Sequence, residues 1–255
     1  TAIAPWINML ETLEAGETYQ VRTADPLEDL TGSHVIGNKD FAFFGGSTWA
    51  EVPSGCAHKD NLLEQMHPVP TWGKQFVTVP HKMLNRDIFR ILAAEDNTIV
   101  EVQDSNPITY TLNAGEFIEY EQSEASYITS NRPIQVAQFI IGSTCNGHSL
   151  GDPSMTLLNS VQQTRDTVTL HSSAFQEIEE TYINIIVQTD DRNSVTFDGQ
   201  PLAQLGEQMQ TVGVNADFSY LQLEVRPGSH TIISEGCGVI ASAYGYGYIE
   251  SYAYS

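Results

Sequence analysis

Cysteine, histidine and carboxylate are the side chains here able to act as nucleophile, base or metal ligand. Cys56, His58 and His67 lie close enough in sequence to suggest zinc, but no fourth ligand follows at finger-like spacing. Cys145 with His148 pairs a thiol with a base, yet Ser143-Thr144-Cys145-Asn146-Gly147 reads as a loop after a strand. Such a loop has no helix dipole to activate a thiolate. Neither a G-x-S-x-G elbow nor an H-E-x-x-H helix occurs. Asp190, Asp191 and Asn193 place oxygen ligands in one turn, as calcium requires, though without the D-x-D-x-D-G series. A solvated hairpin turn is the simpler reading, so no metal or other cofactor is expected, with calcium at this turn as the alternative. Glu177, Glu179 and Glu180 read as a solvated run. His34 and His230, each beside Gly-Ser, suggest a recurring structural hydrogen bond.

One group of residues suggests binding without chemistry. Tyr244, Tyr246, Tyr248, Tyr252 and Tyr254 alternate over 11 residues near the end of the chain. On one strand face they could stack on a glycan or a partner, or cover a core with their hydroxyls in water.

The elements that would position these residues are strands. Alternation and β-branched runs dominate, punctuated by Gly, Pro, Asn and Asp. Strands are expected at 75–79, 89–94, 98–102, 108–112, 116–120, 127–129 and 134–140. A second series is expected at 167–170, 182–188, 194–197, 220–225, 231–233 and 239–244. The one helical candidate is 59–66, ended by Pro68 and Pro70.

The chain also resembles itself. Leu13-Glu14-Ala15-Gly16-Glu17 returns as Leu112-Asn113-Ala114-Gly115-Glu116, and Gly32-Ser33-His34 returns as Gly228-Ser229-His230. The spacing predicts an all-β fold of serial β-sandwich or small-barrel modules in a pseudo-repeat of about 95 residues. The modules are 1–55, partial; 56–70, a linker with a short helix; 71–159; and 160–255. The first is expected to hold only its last strands. The strands that would cover Trp6, Phe41, Phe43 and Phe44 must come from upstream chain or from another subunit by strand addition.

Composition narrows function. Thirty-two acidic against 11 basic residues give a formal net charge of −21, which opposes binding to a phosphate backbone. Such a surface suits calcium-rich or salty surroundings, or a cationic partner. A 41% apolar content excludes intrinsic disorder. No run of about 18 apolar residues is present, so no membrane-spanning helix is expected. No leader-like charged and apolar start is seen either.

Several stretches together resemble the IgGFc-binding protein family. They are Asn61-Leu62-Leu63-Glu64-Gln65-Met66, Pro68-Val69-Pro70-Thr71-Trp72-Gly73-Lys74, Ile91-Leu92-Ala93-Ala94-Glu95-Asp96-Asn97-Thr98 and Ile128-Thr129-Ser130-Asn131-Arg132-Pro133-Ile134. Gly151-Asp152-Pro153-Ser154-Met155, Gly245-Tyr246-Gly247 and Glu250-Ser251-Tyr252-Ala253-Tyr254 complete the set, from about Gly32 to the end. The resemblance implies an extracellular or cell-surface, β-rich, non-enzymatic protein that adheres to a protein or glycan. Immunoglobulin Fc binding, which gave the family its name, is not carried over.

An extracellular setting permits a disulfide. Cys145 follows Gly142-Ser143-Thr144 as Trp49 follows Gly46-Ser47-Thr48, so the two loops end equivalent strands, and Cys56 lies just beyond the first. A Cys56–Cys145 bond is therefore expected, stabilising by roughly 4 kcal/mol in the chain-entropy limit. Cys237, within Gly236-Cys237-Gly238-Val239-Ile240, is expected free and buried. The expected function is a non-enzymatic adhesion or assembly module. The alternatives are a self-associating filament subunit using strand addition and a carbohydrate-active enzyme.

Overall fold

The computed structural model describes residues 8–25, 28–213 and 216–255. Trp6 lies outside them. The described residues are all-β, 48% strand and 6% helical, and the helical part consists of short 3-10 turns, one of which buries Leu202 in the core. The first strands are β1 (Phe44–Glu51) and β2 (Lys59–Gln65), a separate antiparallel hairpin.

A first complete unit follows. It contains β3 (Gly73–Thr78), β4 (Asp87–Ala93), β5 (Thr98–Gln103), β6 (Ile108–Leu112), β7 (Phe117–Gln122), β8 (Ser126–Ile140) and β9 (Ser154–Leu157). The β4–β5 turn closes through Asn97 in the left-handed region, with the Thr98 hydroxyl donating to Glu95 O at 2.6 Å. β8 is 15 residues long and is the central strand of one curled seven-stranded sheet, changing partners along its length. Its first half pairs with β3 and β5, and its second half pairs with β4 and β9. Pro133, which has no N–H to give a ladder, sits where the strand changes partners. Phe76, Phe89, Ile91, Val100, Ile128 and Val136 fill the space between the layers.

A second complete unit contains β10 (Thr167–Ser172), β11 (Ile178–Gln188), β12 (Val195–Phe197), β13 (Gln200–Pro201) and β14 (Gln210–Thr211). It continues through β15 (Phe218–Glu224), β16 (Gly228–Ser234), β17 (Val239–Gly247) and β18 (Glu250–Tyr254). One sheet runs β10-β16-β12-β13, as β3-β8-β5-β6 does; the other holds β15-β11-β17-β18, as β7-β4-β8-β9 does. All of these pairings are antiparallel. The difference is that β8 is one strand whereas β16 and β17 are two, separated by a turn.

That turn corrects one expectation. Cys237 is free but exposed, at the tip of the 235–238 turn. The apolar run that suggested an interior position starts only at Val239, which is buried. Gly238 has φ +82° and packs on the Arg165 backbone, where a side chain would collide. The Cys237 N–H donates to Asp191 Oδ2 at 2.8 Å. Asp191 also raises the thiol pKa, which keeps the sulfur protonated.

Residues 59–66 correct a second. They form β2, not a helix. A helix this short gains little alone, because nucleation is costly, whereas β1 supplies a ladder for the same backbone. Leu62 and Met66 then pack on Ala137, Phe139 and Leu157 of the first complete unit, while Leu63 stays exposed. The linker expected at 56–70 is thus half of a hairpin. Among the described residues no strand precedes β1, although sheet strands were expected around residues 33–44.

The Cys56–Cys145 disulfide is present, with a Cα–Cα distance of 6.0 Å across 89 residues of sequence. It joins the loop after β1 to the loop after β8. It also removes both sulfurs from the zinc and nucleophile sets.

Candidate binding surface

Two surfaces hold the residues of interest: the seam between the complete units and the face built by residues 8–51. The seam is formed where the outer face of β11 and β17 meets the β3–β4 connection. Tyr244 and Tyr246 project from β17 into it and are fully buried. The Tyr244 hydroxyl donates to Asn184 Oδ1 at 2.8 Å and accepts the Lys82 N–H at 3.0 Å. The Tyr246 hydroxyl donates to Lys82 O at 3.0 Å. Burial drives both phenol pKa values up, so both remain protonated donors.

Beneath them, Asp87 Oδ2 accepts the His81 N–H at 2.7 Å and a Gln138 Nε2 hydrogen at 2.6 Å, with His81 Nδ1 at 2.8 Å. His81 meets the Tyr244 ring edge-on at 4.5 Å. Nothing local announces this cluster beyond a lone aspartate, Asp87, at the head of an apolar strand. Its chemistry is cohesive at Asp87 Oδ2, which gathers three buried nitrogens, while Asp87 Oδ1 is buried with no hydrogen-bond partner.

The five tyrosines do not share a face. The chain reverses at Tyr248 and Ile249, the latter at φ +56°. The resulting register sets Tyr252 opposite Gly245 and Tyr254 opposite Ala243, away from Tyr244 and Tyr246. The Tyr252 and Tyr254 hydroxyls accept the N–H groups of Ser173 and His171. Tyr248 alone is exposed.

Asp190 and Asn193 are exposed in the 3-10 turn after β11, while Asp191 holds the 235–238 turn. Among the described residues no three His, Cys, Asp or Glu side chains are grouped to hold a metal. His230 stacks on Phe197 and bridges Asp198 Oδ2 and Arg226 O, each at 2.7 Å, whereas His34 is exposed. Glu180 takes the Tyr182 hydroxyl at 2.8 Å beside His148. An open depression lined by Asp104, Glu124 and Tyr220 holds two carboxylates. Asp104 there already accepts from Gln122 and Asn106.

Residues 8–51 are built differently. Two turns shape the segment, and the second ties it to the first complete unit. At residues 14–17 the Glu17 N–H donates to Glu14 O at 3.0 Å and the Glu14 N–H donates to Glu17 Oε2 at 2.8 Å. The 113–116 turn has the same two bonds, at 2.9 and 2.7 Å. At residues 29–32, Arg90 donates to Asp29 Oδ2 and Thr31 Oγ1, both at 2.7 Å. Its other nitrogen donates to Glu119, and the guanidinium lies 4.6 Å from the Phe117 ring centre. Burial pushes the Asp29 carboxyl up, but its bonds to Thr31 and Arg90 outweigh this and hold it below the usual range. Gly32, at φ +90°, crosses so close to Gly115 O that no side chain fits. Arg90 was missed in the sequence. The available signal was a cation, one of 11, inside the apolar run Ile88-Phe89-Arg90-Ile91.

Beyond these turns the segment leaves large apolar side chains in solvent. Leu10 is 93% exposed, Ile36 80% and Trp49 67%, with Leu13, Phe41 and Phe44 at half or more. Isolated exposed leucines need no explanation, but six large apolar side chains left in solvent within one segment do.

Neither curated proteins nor solved structures offer a match to this chain. A protein-family model described as IgGFc binding protein matches residues 8–245, nearly the whole chain, and the chain belongs to that family.

Proposed function

We propose that this chain is a non-enzymatic binding module of an extracellular or cell-surface protein, and that residues 8–51 with β2 form its adhesive face. The observation carrying this reading is the exposure of Leu10, Ile36, Phe41, Phe44 and Trp49 within one segment, whereas the later strands expose only scattered single side chains such as Ile99, Ile108 and Ile233. Membership of a family named for protein binding supports it. The disulfide fits an oxidising compartment, and among the described residues no helix is long and apolar enough to cross a membrane. The partner is a protein that contributes apolar side chains to a contact rimmed by this chain's acidic surface.

The test is binding by biolayer interferometry to a panel of secreted and surface proteins that includes immunoglobulin Fc. Wild type is compared with the triple variant Ile36→Asp, Phe41→Asp, Trp49→Asp. At least one ligand should bind the wild type and bind the variant more than tenfold more weakly at unchanged Tm. Equal binding by both, or turnover of a glycan panel by the wild type, would overturn the reading.

A further inference from the structure

The β1–β2 hairpin is attached to the first complete unit without joining its sheet. Among the described residues β1 and β2 pair only with each other. The Met66 N–H donates to Phe43 O, so by antiparallel alternation the amides of Phe44 and Gly46 point away from β2. What seats the hairpin is the disulfide, the loop bonds beside it and one face of β2. The loop bonds run from the Gly142 N–H to Val52 O and from the Ala57 N–H to Thr144 Oγ1, each at 3.1 Å. His58 Nδ1 also lies 2.8 Å from Ser143 Oγ.

The seated face of β2 carries acid among its apolar side chains. Alternation puts Asp60, Leu62 and Glu64 on one side, and all three are shielded, while Asn61, Leu63 and Gln65 are exposed. In the loop before β9, which β2 packs against, Asp152 is 2% exposed and its Oδ1 is buried with no hydrogen-bond partner. The backbone there is fixed. The Asp152 N–H donates to Ser251 Oγ and the Gly151 N–H to Gly247 O, each at 2.8 Å. The charges that reach this carboxyl are Asp60 and His58 from the hairpin side and Glu250 from β18. The single lysine of the hairpin, Lys59, is taken by Glu51 at 2.5 Å. An ionised Asp152 would therefore be a buried charge among carboxylates, whereas a protonated one costs far less to bury.

We propose that the β1–β2 hairpin is a proton-controlled flap, seated on the first complete unit when Asp152 is protonated and loosened, on its disulfide tether, when Asp152 is ionised. Burial, then Asp60, raise the Asp152 carboxyl to about 6, with Glu250 adding to the rise and His58 opposing it. Burial also raises Glu64 on the seated face, which acts in the same direction. A carboxyl raised in the seated state makes seating strongest below its released value near 4 and weakens it as pH rises through about 6. For Asp152 alone, the seating constant changes about tenfold between pH 5 and pH 7. The hairpin belongs to the face assigned above to adhesion, so presentation of that face would follow pH. That consequence rests on the binding reading; the flap itself does not.

Amide exchange of the whole chain at pH 5 and pH 7, corrected for the intrinsic rate at each pH, reads flap opening at Ala57 and Gly142. Protection there should be at least about tenfold weaker than at the centre of β17, because the flap opens without global unfolding. It should fall about tenfold from pH 5 to pH 7. Asp152→Asn should reduce that ratio below about threefold. Asp60→Asn, which keeps the buried carboxyl and removes the charge that raises it most, should give an intermediate ratio. Protection equal to that of β17, a wild-type ratio below about twofold, or an unchanged ratio in Asp152→Asn would overturn the proposal. If Asp152→Asn fails to fold, an unchanged ratio in Asp60→Asn overturns it instead. If the triple aspartate variant loses its protein ligand while exchange proves independent of pH, the flap falls and the adhesive face stands.

Discussion

The seam at β17 and the edge at β1 both carry aromatic side chains and end in opposite states. Both are strands rich in aromatic residues, and both are followed by an antiparallel return strand. At the seam β11 lies alongside, the β3–β4 connection closes over the outer face, and Tyr244 and Tyr246 are fully buried with their hydroxyls bonded. At β1 no strand lies alongside, and Phe44 and Trp49 remain more than half exposed. The contrast teaches that an aromatic strand becomes core or contact surface according to its neighbours. Residue type alone does not decide it.

Breaking the link between the two regions should have the largest effect. Replacing Cys56 and Cys145 by serine frees the β1–β2 loop from the loop after β8 and should cost about 4 kcal/mol of stability, measured by urea denaturation. A loss below about 1 kcal/mol would mean that packing of Leu62 and Met66 holds the hairpin unaided.

The seam itself should be the next most sensitive place. Asp87→Asn removes the charge that gathers the His81 N–H and the Gln138 amide in a fully buried setting. Bonds to a buried charge of this kind are worth roughly 2–3 kcal/mol, so a loss of that size is expected in the same assay. A neutral result would show that the Asp87 bonds add nothing beyond the apolar contacts and the tyrosine bonds to the Lys82 backbone.

A smaller effect is expected, with opposite sign, where β2, β9 and β18 converge. Asp152 is buried there, and burial first, then Asp60, raises its carboxyl to about 6; Glu250 adds to the rise and His58 opposes it. A raised folded pKa means that the folded state holds the proton more tightly than the unfolded chain. The stabilising contribution is therefore complete below the unfolded value near 4 and is lost as pH rises through about 6. Asp152→Asn should raise Tm by a few degrees, on the order of 2–4 °C, at pH 8, and the gain should shrink as pH falls below 6. A pH-independent change would contradict this.

The smallest stability effects should fall on the adhesive face. Ile36→Asp, Phe41→Asp and Trp49→Asp should each change stability by no more than about 0.5 kcal/mol while abolishing ligand binding. A large destabilisation would place these side chains in contacts that the fold needs.

Much of this was legible in the sequence because strand alternation and turn residues are local signals. The strands around Glu95-Asp96-Asn97 and Asn113-Ala114-Gly115 formed where expected. The Cys56–Cys145 pairing formed as expected, although the two Gly-Ser-Thr runs are not equivalent loops, since Gly46-Ser47-Thr48 lies inside β1 and Gly142-Ser143-Thr144 in the loop after β8. What failed depended on distant neighbours. Residues 59–66 have helical character, yet β1 takes their backbone. Tyr252 looks continuous with Tyr246, but a reversal at Ile249 puts it on the other face. Cys237 sits beside an apolar run, but the turn that lifts it into solvent is fixed by Asp191 and Arg165, more than 40 residues away. Exposure of the 8–51 segment was foreseen only as missing partner strands, since no local signal says whether a partner exists.

Residue-resolved hydrogen exchange of the free protein compares the edge of β1 with β8 and β17 most directly. The edge amides of Phe44 and Gly46 in β1 should exchange nearly as fast as an unstructured peptide. Amides in the centre of β8 and β17, flanked by strands on both sides, should exchange at least about a thousandfold more slowly, close to the global limit. Protection at Phe44 and Gly46 equal to that of β8 and β17 would mean that the edge is already closed, and would contradict the account.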